Sequence, residues 1–249
     1  MSAAASRKPD VFIGTAGWSL RGSEAAHFPE SGTHLQRYAA VFRAAEINSS
    51  FYRPHRPQLY AKWAADVPDG FRFSVKIPKL ITHEQRFENT HKAVDAFCLE
   101  VAGLGKKLGC LLVQLPPSFE FDAKLSAAFF KHLRSRVACD IACEPRNPTW
   151  FEDEADALLQ EFRVTRAAAD PARVPAAASP GGFRGCQYYR LHGSPRMYYS
   201  SYTSAYLKRL ARDISKSHDA ERVWCVFDNT ASSAAVTNAL TLQKLLADK

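Results

Sequence analysis

Short apolar runs recur along this chain, and each closes on a polar side chain. Glu46-Ile47-Asn48, Ser74-Val75-Lys76, Leu112-Val113-Gln114, Glu144-Pro145-Arg146, Arg190-Leu191-His192 and Val226-Phe227-Asp228 all alternate. Successive side chains of a strand point to opposite faces. Each run therefore keeps an apolar face and presents a charge or an amide near its C-terminal end. Eight strands are predicted, over residues 11–15, 44–48, 71–77, 110–115, 140–144, 164–169, 187–192 and 223–228. Between them lie stripes at helical spacing. Leu35, Tyr38, Ala39 and Phe42 form one, and Ala93, Phe97, Val101 and Leu104 the next. Leu125, Phe129 and Leu133 follow, with Asp122 placed to cap that helix. Leu158, Leu159 and Phe162 come next, then Tyr206, Leu207 and Leu210, and a last helix over 231–246.

Strands separated by helical returns pair in parallel, because parallel neighbours need crossovers. An open doubly wound sheet is the alternative. No GxGxxG follows the first strand, the strands number eight, and polar endings recur on nearly all of them instead of at one switch point. The prediction is a TIM-type (β/α)8 barrel: a closed parallel sheet with outer helices and an active site at the C-terminal mouth. One connection departs from the pattern. The stretch between Pro171 and Gly182 is rich in proline, alanine and glycine and predicts a loop or a broken helix. Residues 1–9 read as a flexible tail and 10–249 as a single barrel domain; 249 residues suit such a barrel. The long first loop, 17–32, and the third, 78–89, would overhang one rim.

Composition narrows the class. With 46% hydrophobic residues the chain is globular. No apolar run reaches the ~18 residues of a membrane span. The first ten residues hold Arg7 and Lys8 with no apolar stretch behind them, which predicts no secretory leader. Six cysteines without a CxxC pair read as reduced thiols of a cytoplasmic protein. A net charge of +8 attracts anionic partners, either a small molecule or nucleic acid; oligomeric state leaves no mark.

The strand ends supply the candidate chemistry. Glu46 and Glu144 are candidate bases, and His192 or His83 the proton partner. Arg146 and Arg190 suit a two-pronged grip on carboxylate or phosphate, and Pro145 and Pro148 stiffen the segment that carries Glu144 and Arg146. Lys76, once desolvated, is a candidate Schiff-base nucleophile; its bland role is a counter-charge for Glu46 or Glu144. Trp18, Asn48, Tyr52, Gln114, Asp228 and Asn229 complete the candidate substrate-binding set, and Asp228 is also placed to cap the last helix. No cofactor is predicted. Glu46, Glu144, Asp170, His192 and Asp228 have the right donor types for a divalent metal, but Lys76, Arg146 and Arg190 would crowd it.

These residues sit in blocks that resemble the YecE-like family, also called domain of unknown function 72. The blocks are Ile13-Gly14-Thr15-Ala16-Gly17-Trp18, Glu46 to Tyr52, Phe71 to Lys76, Ile81-Thr82-His83, Gln114 to Phe119, Glu144-Pro145-Arg146 through Trp150-Phe151, Arg190-Leu191-His192-Gly193 and Phe227 to Thr230. The resemblance implies a TIM-type barrel with a polar cleft at its C-terminal face and brings no settled activity. It implies a distant likeness to apurinic-endonuclease barrels, a fold-level analogy. Asn147 stands where that family often has histidine, Asp228-Asn229 where it often has two asparagines, and the first loop is short for it.

Three readings follow. The first is a hydrolase-like enzyme whose Arg146 and Arg190 hold an anionic or phosphate-bearing substrate. The second is a lyase or aldolase built on Lys76. The third is a non-catalytic barrel that binds nucleic acid or a partner through a basic face near Arg209 and Arg212. Arginines consumed by internal carboxylates would count against the first, and a Lys76 sealed between Glu46 and Glu144 against the second.

Overall fold

The computed structural model describes residues 8–20 and 22–248; most of the predicted N-terminal tail, and Arg21 of the first loop, lie outside that range. Its core is a barrel of parallel strands: β1 (Asp10–Ala16), β2 (Ala44–Ile47), β3 (Arg72–Lys76), β4 (Leu108–Gln114), β5 (Asp140–Glu144), β6 (Val164–Arg166), β7 (Ala168–Asp170), β8 (Gly181–Gly182), β9 (Cys186–Leu191) and β10 (Arg222–Phe227). The order around the sheet is β7-β9-β10-β1-β2-β3-β4-β5-β6-β8. All eight expected strand positions are present, each within a residue or two of its predicted bounds.

The sixth position differs from expectation, and the difference is what brings the ends of the sheet together. β6 and β7 are successive halves of one strand, interrupted at Ala167. The first half pairs with β5, from Ile141 opposite Val164, and the second with β9, from Ala168 opposite Tyr189. Beside β6, where the ladder to β9 is missing, the Thr165 hydroxyl lies 2.7 Å from the Cys186 carbonyl oxygen and 3.0 Å from that of Phe183. The short β8 lies antiparallel on β6, so the sheet is not wholly parallel. Residues 171–180 carry only a 3-10 turn, Pro175–Ala178, the loop or broken helix expected of a segment with prolines at 171, 175 and 180.

Helices α1 (His34–Ala39), α4 (His91–Val101), α5 (Ala123–Arg136), α6 (Asp153–Glu161), α7 (Ser204–Ser215) and α8 (Ala234–Ala247) lie on the predicted stripes. Asp122 caps α5 by accepting from the Leu125 N–H at 2.7 Å. Between β2 and β3 two further helices appear, α2 (Ser49–Tyr52) and α3 (Pro57–Ala65). Their apolar residues are too few to mark a stripe: Tyr60 alone is buried on α3. Gly14 lets β1 press against β2, since a Cβ there would overlap the Ala44 carbonyl.

The interior is filled, as a barrel core must be. At the N-terminal end Arg222 pairs with Asp140 at 2.9 Å, and Trp224 donates to the same carboxylate. Trp224 stacks on Phe12, with Tyr188 above it. The polar cluster at the C-terminal end rests on this floor. No helix among the described residues is long and apolar enough to cross a membrane. None of the six cysteines forms a disulfide.

Replacing Thr165 by valine keeps the shape and removes the hydroxyl that closes the seam. The expected loss is about 1–3 kcal/mol, read by denaturant unfolding.

Candidate functional site at the barrel mouth

Alternation aims Glu46, Lys76, Gln114, Glu144, Arg190 and His192 inward at the C-terminal ends of β2, β3, β4, β5 and β9 and just beyond, with Asp228 following β10. Arg190 is the hub. Its guanidinium bonds Glu46 at 2.7 Å, Glu144 at 3.1 Å and Asp228 at 3.0 Å. Tyr188 donates to Glu46 Oε2, which Arg190 Nε also bonds, at 2.9 Å and meets Ser74 at the same distance. His192 bridges two carboxylates, Nε2 to Glu144 at 3.1 Å and Nδ1 to Asp228 at 3.0 Å. Arg146 gives Nε and Nη2 to Glu144 Oε1.

Burial alone would raise the pKa of Glu144, but Arg190 and His192 hold it well below the usual carboxylate range. Asp228 is likewise lowered, against its burial, by Arg190 and His192. Burial would push His192 down; the Glu144 and Asp228 carboxylates outweigh it and keep the ring protonated above its ordinary value. An imidazolium with both N–H groups bonded to carboxylates has no free nitrogen to act as a base.

This geometry corrects several sequence expectations of role. Arg190 is consumed internally and has no edge left to grip a ligand. His192 is a bridge instead of a proton shuttle. A metal among Glu46, Glu144 and Asp228 would have to displace the guanidinium that all three share, and among the described residues no three acidic, histidine or cysteine side chains are set to hold an ion. Asp170 turns away to accept from the Tyr202 hydroxyl at 2.9 Å. Asn229, one place beyond Asp228, points to the outer side, where it donates to Ser200 and Asn238 and anchors the loop after β9. Gln114 bonds the Leu115 carbonyl. Asn147 caps the turn at Pro148–Phe151 and donates to Pro117, a structural use of the position where histidine is common in the family it resembles.

Lys76 stands apart. It is 9% exposed, and no carboxylate among the described residues pairs with it. Its Nζ lies 3.9 Å from the centre of the Phe51 ring. Burial, with the Arg190 charge adding to it, lowers its pKa to about 8, against the pull of Glu144 and Glu46. His83 meets the same Phe51 ring edge-on at 5.0 Å. Burial, then Lys76 and Arg146, bring His83 down to about 4, so its ring is neutral at physiological pH. Its Nδ1 lies 2.9 Å from the Thr82 hydroxyl, which contacts the Pro78 carbonyl. Trp18 packs edge-on against Trp63 and Phe73 and walls a cavity of about 380 Å³ lined also by Glu46, Asn48 and Ser49. Tyr52 is 79% exposed on the rim.

Phe51 and Tyr188 escaped the sequence reading. Tyr188 was accessible to it, since it shares the inward face of β9 with Arg190 and His192. Phe51 was not, because α2 is a single turn without a periodic signature.

A family model described as "Protein of unknown function DUF72" matches residues 12–249. The chain belongs to the DUF72 family. Among curated proteins it is 30% identical to UPF0759 protein YunF of Bacillus subtilis (strain 168) over 149 residues, 57% of this chain and 52% of that one. It is 30% identical to UPF0759 protein YecE of Escherichia coli (strain K12) over 87 residues, 35% and 32% of the two chains. The matched part thus spans about half the length of the first and a third of the second. A crystal structure of a DUF72 protein from Thermotoga maritima MSB8 superposes with a TM-score of 0.78 at 25% identity, covering 96% of this chain and 99% of that one. One from Enterococcus faecalis V583 gives 0.79 at 22%, covering 95% of each. A xylose isomerase-like TIM barrel/4-hydroxyphenylpyruvate dioxygenase fusion protein gives 0.53 at 15%, covering 96% of this chain and 42% of that one, a likeness of fold alone.

Changing Arg190 to methionine strands buried carboxylates, with an expected cost of about 3–5 kcal/mol. Lys76→Met, which breaks no ion pair, is expected to cost far less. Thermal and denaturant unfolding of the two variants side by side check this ordering.

Proposed function

We propose that this DUF72 protein is an enzyme that captures an anionic carbonyl compound at the barrel mouth through the Lys76 amine. The observation that carries the reading is the state of Lys76: buried, without a carboxylate partner, and held near pKa 8. Moving a lysine from 10.5 to about 8 raises its neutral fraction at pH 7 by a factor of about 300. Desolvation beside another cation is a recognised way to make a lysine nucleophilic.

In the proposed step the Nζ lone pair attacks the carbonyl carbon, a C–N bond forms, and the carbonyl oxygen leaves as water to give an imine. His83, neutral and beside the same phenyl ring, takes and returns protons. Among the described residues nothing bonds Arg146 Nη1, whereas Nε and Nη2 are spent on Glu144; Nη1 is the donor left for the substrate anion. Hydrolase-like chemistry on Glu46, Glu144 and His192 is less favoured, because Arg190 and His192 spend their hydrogen bonds on those carboxylates. A small anion is favoured over nucleic acid because the cations at the mouth are recessed, while the outer row of Lys208, Arg209 and Arg212 on α7 is followed by Asp213.

Incubation with a panel of carboxylated and phosphorylated aldehydes and ketones, followed by borohydride, is expected to leave a reduced adduct on Lys76, located by peptide mass spectrometry. The trapping rate is expected to rise with pH and level off above about 8, where an ordinary lysine would keep rising toward 10.5. Lys76→Met abolishes the adduct. Adducts spread over surface lysines, with none on Lys76, would end this reading.

A further inference from the structure

Ser49 opens α2, the single turn that follows β2, and Pro54 keeps that turn from continuing. Arg53, just before the proline, is extended, as that position favours. The chain doubles back and sets His55 against the turn it has left. The Ser49 hydroxyl lies 2.7 Å from His55 Nε2. Ser50 beside it spends its hydroxyl on the carbonyls of Ile47 and Lys76; that of Ser49 meets a ring nitrogen instead.

Neighbouring elements hold the ring in place. His55 is 8% exposed. It packs edge-on against Tyr60 and Trp63 of α3, at 5.7 and 5.5 Å. Its backbone N–H donates to Glu100 of α4 at 3.1 Å. Burial, with the Arg53 charge adding to it, lowers its pKa below the ordinary histidine value. The ring is therefore neutral at physiological pH and able to accept a proton. Ser49 is half-buried and lines the cavity of about 380 Å³ whose walls include Ala16, Trp18 and Ile47. A serine hydroxyl on a neutral imidazole, itself fixed by its surroundings, is the arrangement that makes serine a nucleophile.

We propose that Ser49 and His55 form a second catalytic pair, which hydrolyses esters of short, uncharged acyl groups. The Ser49 oxygen attacks the acyl carbon, and its proton passes to His55 Nε2. The alcohol leaves with that proton as the C–O bond of the ester breaks. Water then attacks the acyl-serine, releases the carboxylic acid and restores the serine hydroxyl and the neutral ring. The apolar walls of the cavity suit the acyl chain, and the Glu46 carboxylate that also lines it disfavours a negative charge there. The pair uses neither Lys76 nor Arg146 and is independent of the carbonyl-capture reading.

The test is labelling of the intact protein with diisopropyl fluorophosphate, the modified residue being located by peptide mass spectrometry. Attack of the Ser49 oxygen on phosphorus expels fluoride, and His55 takes the proton. Labelling of Ser49 is expected to be about 100- to 10,000-fold faster than in the urea-unfolded chain. Its rate is expected to fall as His55 takes up a proton, at a pH below 6.5, and to be flat between 7 and 8, where capture by Lys76 is still rising. His55→Gln is expected to lose the acceleration. Hydrolysis of p-nitrophenyl acetate is expected to follow the same pH dependence and to vanish in Ser49→Ala. No adduct on Ser49, a rate equal to that of the unfolded chain, or a profile without the fall below 6.5 overturns the proposal, and the contact is then a structural hydrogen bond. Labelling without ester hydrolysis overturns it too. None of these outcomes touches the Lys76 reading, which is decided by borohydride trapping.

Discussion

One guanidinium organises the top of this barrel. Arg190 sits where three strands deliver a carboxylate each, and it satisfies all three. A buried carboxylate without a partner costs several kcal/mol, so Glu46, Glu144 and Asp228 are tolerable only together with Arg190. The histidine two residues on serves the same set, closing the gap between Glu144 and Asp228. The cluster is balanced by internal pairing, which leaves little of it available to a substrate. Its contribution is positional: it fixes the ends of β2, β5, β9 and β10 relative to one another.

That balance is why Lys76 differs from its neighbours. The carboxylates of the cluster are already committed to Arg190, His192 and Arg146. What remains for the ammonium is the face of Phe51, and a phenyl face stabilises a cation far less than an ion pair does. Burial then prevails, and the amine is held part-way to neutrality. His83, leaning on the same ring, is pushed to its neutral form by burial first and by the positive charges of Lys76 and Arg146 second. A neutral imidazole beside an amine with a lowered pKa, at the mouth of a basic protein, follows from burial and a shortage of anionic partners.

Much of the fold was legible because period-two alternation survives in every inward strand. Gln114, Glu144 and Arg190 could each be assigned a face from their neighbours alone. Site membership was legible for the same reason: a polar residue at the end of an apolar strand has few other places to go. Roles were not. Whether Arg190 grips a ligand or a carboxylate depends on distances between strands far apart in sequence, such as the 144 residues between Glu46 and Arg190. Asn229 was misplaced because one step along the chain reverses its side. The broken sixth strand was hidden as well, since Val164 to Ala169 reads as one uninterrupted apolar run.

That interruption at Ala167 gives the barrel a built-in asymmetry. Elsewhere each strand of the parallel barrel has a parallel neighbour on both sides. At the sixth position β6 is clamped by β5 and only the two-residue β8, β7 by β9 alone, and the outer face is roofed by a turn and the edge of α7 over a crevice of about 260 Å³. The wall is thinnest there. Length and composition of the segment after Asp170 are therefore the least constrained variables of the scaffold, and a lineage can remodel that flank without disturbing the charge cluster across the lumen.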